Sequence, residues 1–144
     1  MLKNYNELPD YMNVKDIHRL FDDLMNAVDE SPNTDSVTIV NGLWELADRQ
    51  WHTYTLLEPR TKERIENYIN NILLSKIWKD KPIIFLRRIL SIIGNLGLQK
   101  NYELVREMLD QNTESETKRT IKEFIVGVEK HKKGRVEDPY ITLK

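Results

Sequence analysis

Apolar residues recur three and four positions apart along most of the chain, the spacing of one buried face on an α-helix. Val14, Ile17, Leu20, Phe21, Leu24, Met25 and Val28 predict a first helix over Val14 to Asp29. Asn13 is a good N-cap for it, and Asp16 lies at the favourable end of its dipole. Ser31-Pro32-Asn33 stops this helix, and Ser31 or Asn33 is expected to cap the next. Val37, Val40, Leu43, Trp44 and Ala47 form the stripe of that second helix, which ends near Gln50. Gly42 within the stripe lowers helix propensity and points to a close helix contact. Residues 1–12 read as an irregular or short helical lead-in, with Leu8, Tyr11 and Met12 tucked against the first helix.

Trp51 to Glu58 contains several residues that favour strand, but no second strand exists for it to pair with. It is expected to be a packed loop or an irregular turn of helix. Pro59 or Thr61 then opens a third helix with Ile65, Tyr68, Ile69, Ile72 and Leu73 buried, ending near Lys79. From Pro82 to Ile93 only Arg87, Arg88 and Ser91 are polar. A helix apolar on nearly all sides has neighbours on several faces, so this one is expected at the centre of a helical layer. Pro82 falls in its first turn, and Gly97 suits the left-handed position at its end. Asn101 is expected to cap a short fifth helix carrying Tyr102, Leu104, Val105, Met108 and Leu109. Thr113 to Glu116 has the spacing of a capping box for a sixth, with Ile121, Phe124, Ile125 and Val128 buried. These elements make one domain over residues 1–134. Residues 135–144 follow as a tail, or fold back through Val136, Tyr140, Ile141 and Leu143.

The 144 residues suffice for one domain with a proper core, and five glycines and five prolines are too few for a turn-rich all-β fold. With no cysteine there is neither a disulfide framework nor a thiolate metal site, which fits a reducing cytosol. The first residues lack the basic start and apolar run of a signal peptide, and no apolar run is long enough to span a membrane. A cytoplasmic protein is expected. The net charge of −1 conceals an asymmetry: residues 1–48 hold ten acids against three bases, and residues 49–144 hold nineteen bases against thirteen acids. The fold alone does not require this division.

The segment Leu90 to Val128 joins a helix ending in Leu-Gly, a short helix with Leu104-Val105 and Met108-Leu109-Asp110, a polar turn, and a helix opening on Lys118-Arg119. This order resembles HEAT and armadillo repeats, whose period is roughly 40 residues. The earlier helices match in pattern alone, and Trp51–Glu58 departs from it. The resemblance implies an all-α fold, a short right-handed α-solenoid of about three helix pairs and six main helices. A globular bundle of five to six helices is the alternative. In a solenoid the inner pairs are apolar on more sides than the terminal ones, which agrees with the wide apolar surface of the helix at 82–97.

Candidate chemistry is sparse. His18, His52 and His131 are far apart and show no metal-ligand spacing, and there is no phosphate-binding glycine loop or nucleophile elbow. No enzymatic activity, metal or cofactor is expected. Trp44, Trp51, His52 and Tyr54 form an aromatic cluster with Glu45 and Asp48 close by. An acid with tryptophans on a helical-repeat surface is similar to the HEAT-like DNA glycosylases. That family has more repeats, and here the cluster adjoins the acidic third, where phosphate is repelled. The plainer expectation is that Trp44 is core and Trp51 packs under the loop. Arg87-Arg88, Lys118-Arg119-Lys122 and Lys130 to Lys133 are the basic groups.

Asp22, Asp23, Asp29, Glu30, Asp35, Glu45 and Asp48 span two adjacent helices and their connection, and are expected to share one end of the molecule. Size, fold and charge together resemble small bacterial immunity proteins, which neutralise a cognate toxin, commonly a basic nuclease. The resemblance implies a protein partner, a basic toxin domain, docked on these seven acids with Trp51 and Tyr54 as anchors. No membrane, small molecule or nucleic acid is expected as its partner in that reading. A second reading is a nucleic-acid-binding helical-repeat protein using the basic C-terminal half, and a third is a structural adaptor subunit.

Overall fold

A computed structural model describes residues 4–111 and 115–141. Six α-helices carry the chain: α1 (Val14–Glu30), α2 (Ser36–Trp51), α3 (Pro59–Ser75), α4 (Ile83–Leu96), α5 (Gln99–Gln111) and α6 (Ser115–Lys132). Short 3-10 turns at Tyr5–Glu7 and Ile77–Asp80 precede α1 and α4, and no strand occurs among the described residues. No helix among them is long and apolar enough to cross a membrane. The expected capping box lies partly outside the described residues, as does Leu143.

The helix ends show where local pattern suffices. Asn13 caps α1 by accepting the Lys15 N–H at 2.8 Å. Gly97 ends α4 with φ +72°, and a Cβ there would lie 2.9 Å from the Val136 carbonyl oxygen. Elsewhere the caps differ from expectation. The Thr34 N–H and hydroxyl both donate to the Ser31 carbonyl, closing a turn that delays α2, so Asp35 rather than Ser31 or Asn33 accepts the Val37 N–H. Helix α3 stops at Ser75 because Lys76 is left-handed, and Trp78 then folds under it, its indole N–H donating to the Leu73 carbonyl. Pro82 is the cap of α4 and not part of its first turn. Asn101 does not cap α5, which begins two residues earlier. It is buried, and its amide donates to the Glu66 carbonyl and the Asn70 side chain. The buried Glu66 carboxylate meets the Lys100 N–H, so α3 supplies the α5 cap from outside the helix.

Helix α2 packs most closely on α4 and then on α1; α3 lies against α1 and α5, and α6 against α4 and α5. Gly42 brings α2 within reach of Leu24 and the buried Tyr5, and a Cβ at that position would lie 3.1 Å from each. Helix α4 is buried through Phe85, Leu86, Ile89, Leu90, Ile92, Ile93 and Leu96, as its pattern predicts. Its solvent side is a stripe of Ile84, Arg87 and Ser91, with Ile84 49% exposed. Arg88 turns to α2, where its guanidinium lies 4.5 Å from the Trp44 ring centre and donates to Asn41. Trp44 is half-buried beneath it, packed against the core.

Residues 136–141 fold back. Val136 and Tyr140 are buried, and the Val136 N–H donates to the Gln99 side chain at 2.8 Å. Of the two expectations for residues 135–144, a tail or a fold-back, the described part of this segment follows the second through Val136 and Tyr140. Its apolar side chains have a place to go once α2, α4 and α5 are assembled.

Candidate protein-binding surface

Arg49 organises the end of α2. Its side chain is 6% exposed and ion-pairs with Glu45 one turn back. The rest of its guanidinium reaches out of the helix, donating to the Leu8 carbonyl at 3.0 Å and the Pro9 carbonyl at 3.2 Å. Asp10 stands 3.9 Å away and is open to solvent. A buried arginine needs its donors filled, and here the N-terminal lead-in fills them. The lead-in is thereby held on α2 and presents Tyr11, which is 77% exposed. Arg49 escaped the sequence reading, although its i,i+4 spacing from Glu45 was a signal.

The helix then closes in a turn crowded with rings. His52 Nδ1 lies 2.8 Å from the Asp48 carbonyl, and since a carbonyl only accepts, that nitrogen carries the proton. Tyr11 and Trp51 each meet the His52 ring edge-on, with centres 5.4 Å apart. Trp51, Tyr54 and Tyr140 form a tilted triad at 5.8 to 6.2 Å. The Trp51 indole donates to the Pro139 carbonyl, and the Tyr140 hydroxyl donates to the carbonyls of Gln50 and Thr55. Burial pushes the Tyr140 pKa above its ordinary value. Trp51 therefore packs under folded chain, as expected, but the chain includes residues 139 and 140, which lie 88 and 89 positions away. Tyr54 sits at the turn with φ +56° and is 66% exposed. Leu56 beyond it is 61% exposed, while Leu57 is buried.

The seven predicted acids do not share one end. Asp35 and Asp48 bracket α2, roughly 20 Å apart at the helical rise. Asp22 and Asp29 face α3: Thr61 donates to Asp22 at 3.0 Å, and Arg64 pairs with Asp29 at 2.8 Å. Asp35 is occupied as a cap, and Glu45 by Arg49. Asp23, Glu30 and Asp48 are exposed and make no side-chain hydrogen bond or ion pair among the described residues. Asp23 acts through space: burial raises the pKa of Tyr5, and the Asp23 charge adds to it. Asp35 does the same to Tyr68, which burial and that charge push up to about 12. Of the predicted residues, the fold gathers Asp48, Trp51 and Tyr54, joined by Tyr11, His52 and Tyr140.

On the opposite side of the sequence, Arg87, Lys118, Arg119, Lys122, Lys130 and Lys133 are exposed. Lys132 is half-buried and donates to the Gly94 carbonyl at 3.1 Å, capping the end of α4, and burial lowers its pKa. A shallow groove of about 460 Å³ runs between α4 and α6 past Arg87, Ser91, Thr120 and Lys132. Among the described residues no three histidines or acids are grouped as metal ligands. No protein-family model, curated protein or solved structure matches the chain.

Proposed function

We propose that this protein works by binding another protein, as an immunity protein that neutralises a basic toxin domain through its α1–α2 side. The observation that carries this reading is that Asp23, Glu30 and Asp48 are exposed and make no side-chain hydrogen bond or ion pair among the described residues, with Asp48 beside exposed aromatic rings. A solvated carboxylate needs no internal partner, but three of them on the strongly acidic third form an attractive field for a cationic surface. The fold we propose is a short right-handed α-solenoid of three helix pairs. Its support is the packing order, in which α1, α3 and α5 follow one another in contact and α2, α4 and α6 do likewise.

The test is to search the neighbouring reading frames for a toxin with a basic C-terminal domain and to measure association kinetics with that domain; no such domain, or no binding by it, would overturn the reading. Reversal of Asp23, Glu30 and Asp48 to lysine is expected to lower the on-rate by about tenfold or more at low salt and to flatten its salt dependence. Among the described residues these three side chains make no hydrogen bond or ion pair, so the fold should survive. An unchanged on-rate would remove the electrostatic part of the proposal. The α4–α6 groove, with Arg87 and Lys132 on its walls, is the one observation favouring the nucleic-acid reading. A gel shift with generic DNA and RNA at low salt separates the two.

A further inference from the structure

We propose that the ring cluster at the end of α2 is a cradle for an arginine side chain of the protein partner, with Asp48 as the counter-charge. This rests on the protein-binding reading above and narrows it, placing the anchor at one spot rather than along the whole acidic flank. Three features point there. Tyr11 and Tyr54 are the two most exposed aromatic rings, and they converge on Trp51 and His52 from separate parts of the chain. Tyr54 holds a left-handed backbone, which disfavours a side chain of its size, and glycine or asparagine would suit that turn better. A large ring displayed to solvent from a strained position is poorly explained by folding alone. The third feature is charge. Asp48 is exposed one turn before Trp51, and Asp10 is exposed beside Tyr11. Arg49, which reaches Asp10, is buried and already bonded to Glu45 and the lead-in.

The helix itself carries an example of the contact. Trp44 lies seven residues before Trp51, on the same stripe of α2, and its ring already holds the Arg88 guanidinium at 4.5 Å. Asp48 lies between the two tryptophans on that stripe. A planar guanidinium can stack on a ring and meet a carboxylate edge-on in the same pose, which an ammonium cannot do. Arginine is therefore the expected occupant.

The probe is a short glycine-spaced arginine peptide, with lysine and citrulline versions as controls, followed by NMR of the aromatic and indole resonances. Saturable shifts are expected at Tyr11, His52, Trp51 and Tyr54, and the uncharged citrulline peptide should bind at least about tenfold more weakly. Tyr54→Gly and Tyr11→Ala should each weaken the arginine peptide about two- to fivefold, on the scale of one lost contact with an exposed ring. Tyr11→Ala removes a ring that is largely in solvent, so it keeps the test readable if Tyr54→Gly disturbs the turn. Asp48→Asn should weaken binding severalfold, and reversal of Asp23 and Glu30 should change it less than about twofold, as expected for distant screened charges. Shifts confined to α1, equal binding of all three peptides, or no saturable binding would each overturn the cradle. Loss of the cradle with a charge-dependent on-rate would leave the acidic-surface reading standing. A flat on-rate with peptide bound at the rings would do the reverse.

Discussion

The seam between α2 and α4 and the end of α2 draw on similar side chains for opposite ends. At the seam, Ile39, Leu43 and Leu46 of one helix and Leu86, Ile89 and Ile93 of the other are closed to water. At the helix end, Tyr11, Tyr54 and Leu56 stand more than half in solvent. The seam is made mainly by period: side chains at helical spacing meet side chains at helical spacing, with the Arg88 contact to Asn41 and Trp44 at its edge. The end of α2 is made by polar pins, with Arg49 holding residues 8 and 9 and Trp51 and Tyr140 holding the returning chain. Hydrophobic burial stabilises without specifying a contact atom by atom, whereas hydrogen bonds specify and contribute modestly. The placing of the rings therefore rests on hydrogen bonds at the helix end, while the burial that stabilises the fold lies mostly at the seam.

The largest effect should come from breaking the seam. Ile89→Ala is expected to cost about 2–5 kcal/mol, because its removed carbons leave a cavity among fixed neighbours. Urea unfolding would measure this, and a loss within 1 kcal/mol, on the scale of a tolerant site, would mean that α2 and α4 repack freely. Gly97→Ala tests the place where the two regions join. Its φ of +72° and the Val136 carbonyl both oppose a Cβ, so a cost of more than about 1 kcal/mol is expected, with faster amide exchange in residues 136–141. Unchanged exchange there would show that the returning chain is not seated on Gly97.

The smallest effect belongs to the end of α2. Tyr140→Phe leaves the Gln50 and Thr55 carbonyls without that donor and should cost about 1 kcal/mol. Its alkaline behaviour sharpens the point. Burial holds Tyr140 un-ionised above its ordinary 10, and burial with Asp35 moves Tyr68 up to about 12. In the unfolded chain both ionise near 10, so above that pH the folded state binds more protons and stability falls as pH rises toward 12. Thermal unfolding from pH 9 to 12 should show this decline, a range bracketing the ordinary tyrosine pKa. Tyr140→Phe and Tyr68→Phe should each make the decline shallower. A wild-type curve that stays flat would mean that neither hydroxyl is shielded from water.

Much of the fold was legible in the chain. The buried stripes of α1, α3, α4 and α6, the Asn13 cap and the Gly97 stop follow from residues within a few positions of one another. So does the near-complete burial of α4, because Ile and Leu on all but one stripe leave it no solvent-facing alternative. The candidate site was legible only in part. Asp48, Trp51 and Tyr54 are close in sequence and are found together. Tyr11 and Tyr140 join them through contacts spanning 41 and 88 residues, in the Arg49 bond to Leu8 and the Trp51 bond to Pro139.

The amino-acid order by itself determined six helices, their inner faces and the uneven charge, because periodicity and local capping act over one or two turns. Tertiary structure decided which acids stay free, who caps α5 and α2's far end, and which rings gather. Those outcomes depend on donors and acceptors 30 to 90 residues apart, as Lys100 with Glu66 and Tyr140 with Gln50 illustrate. A helical period states which side of a helix turns inward; it does not carry the identity of the group waiting there.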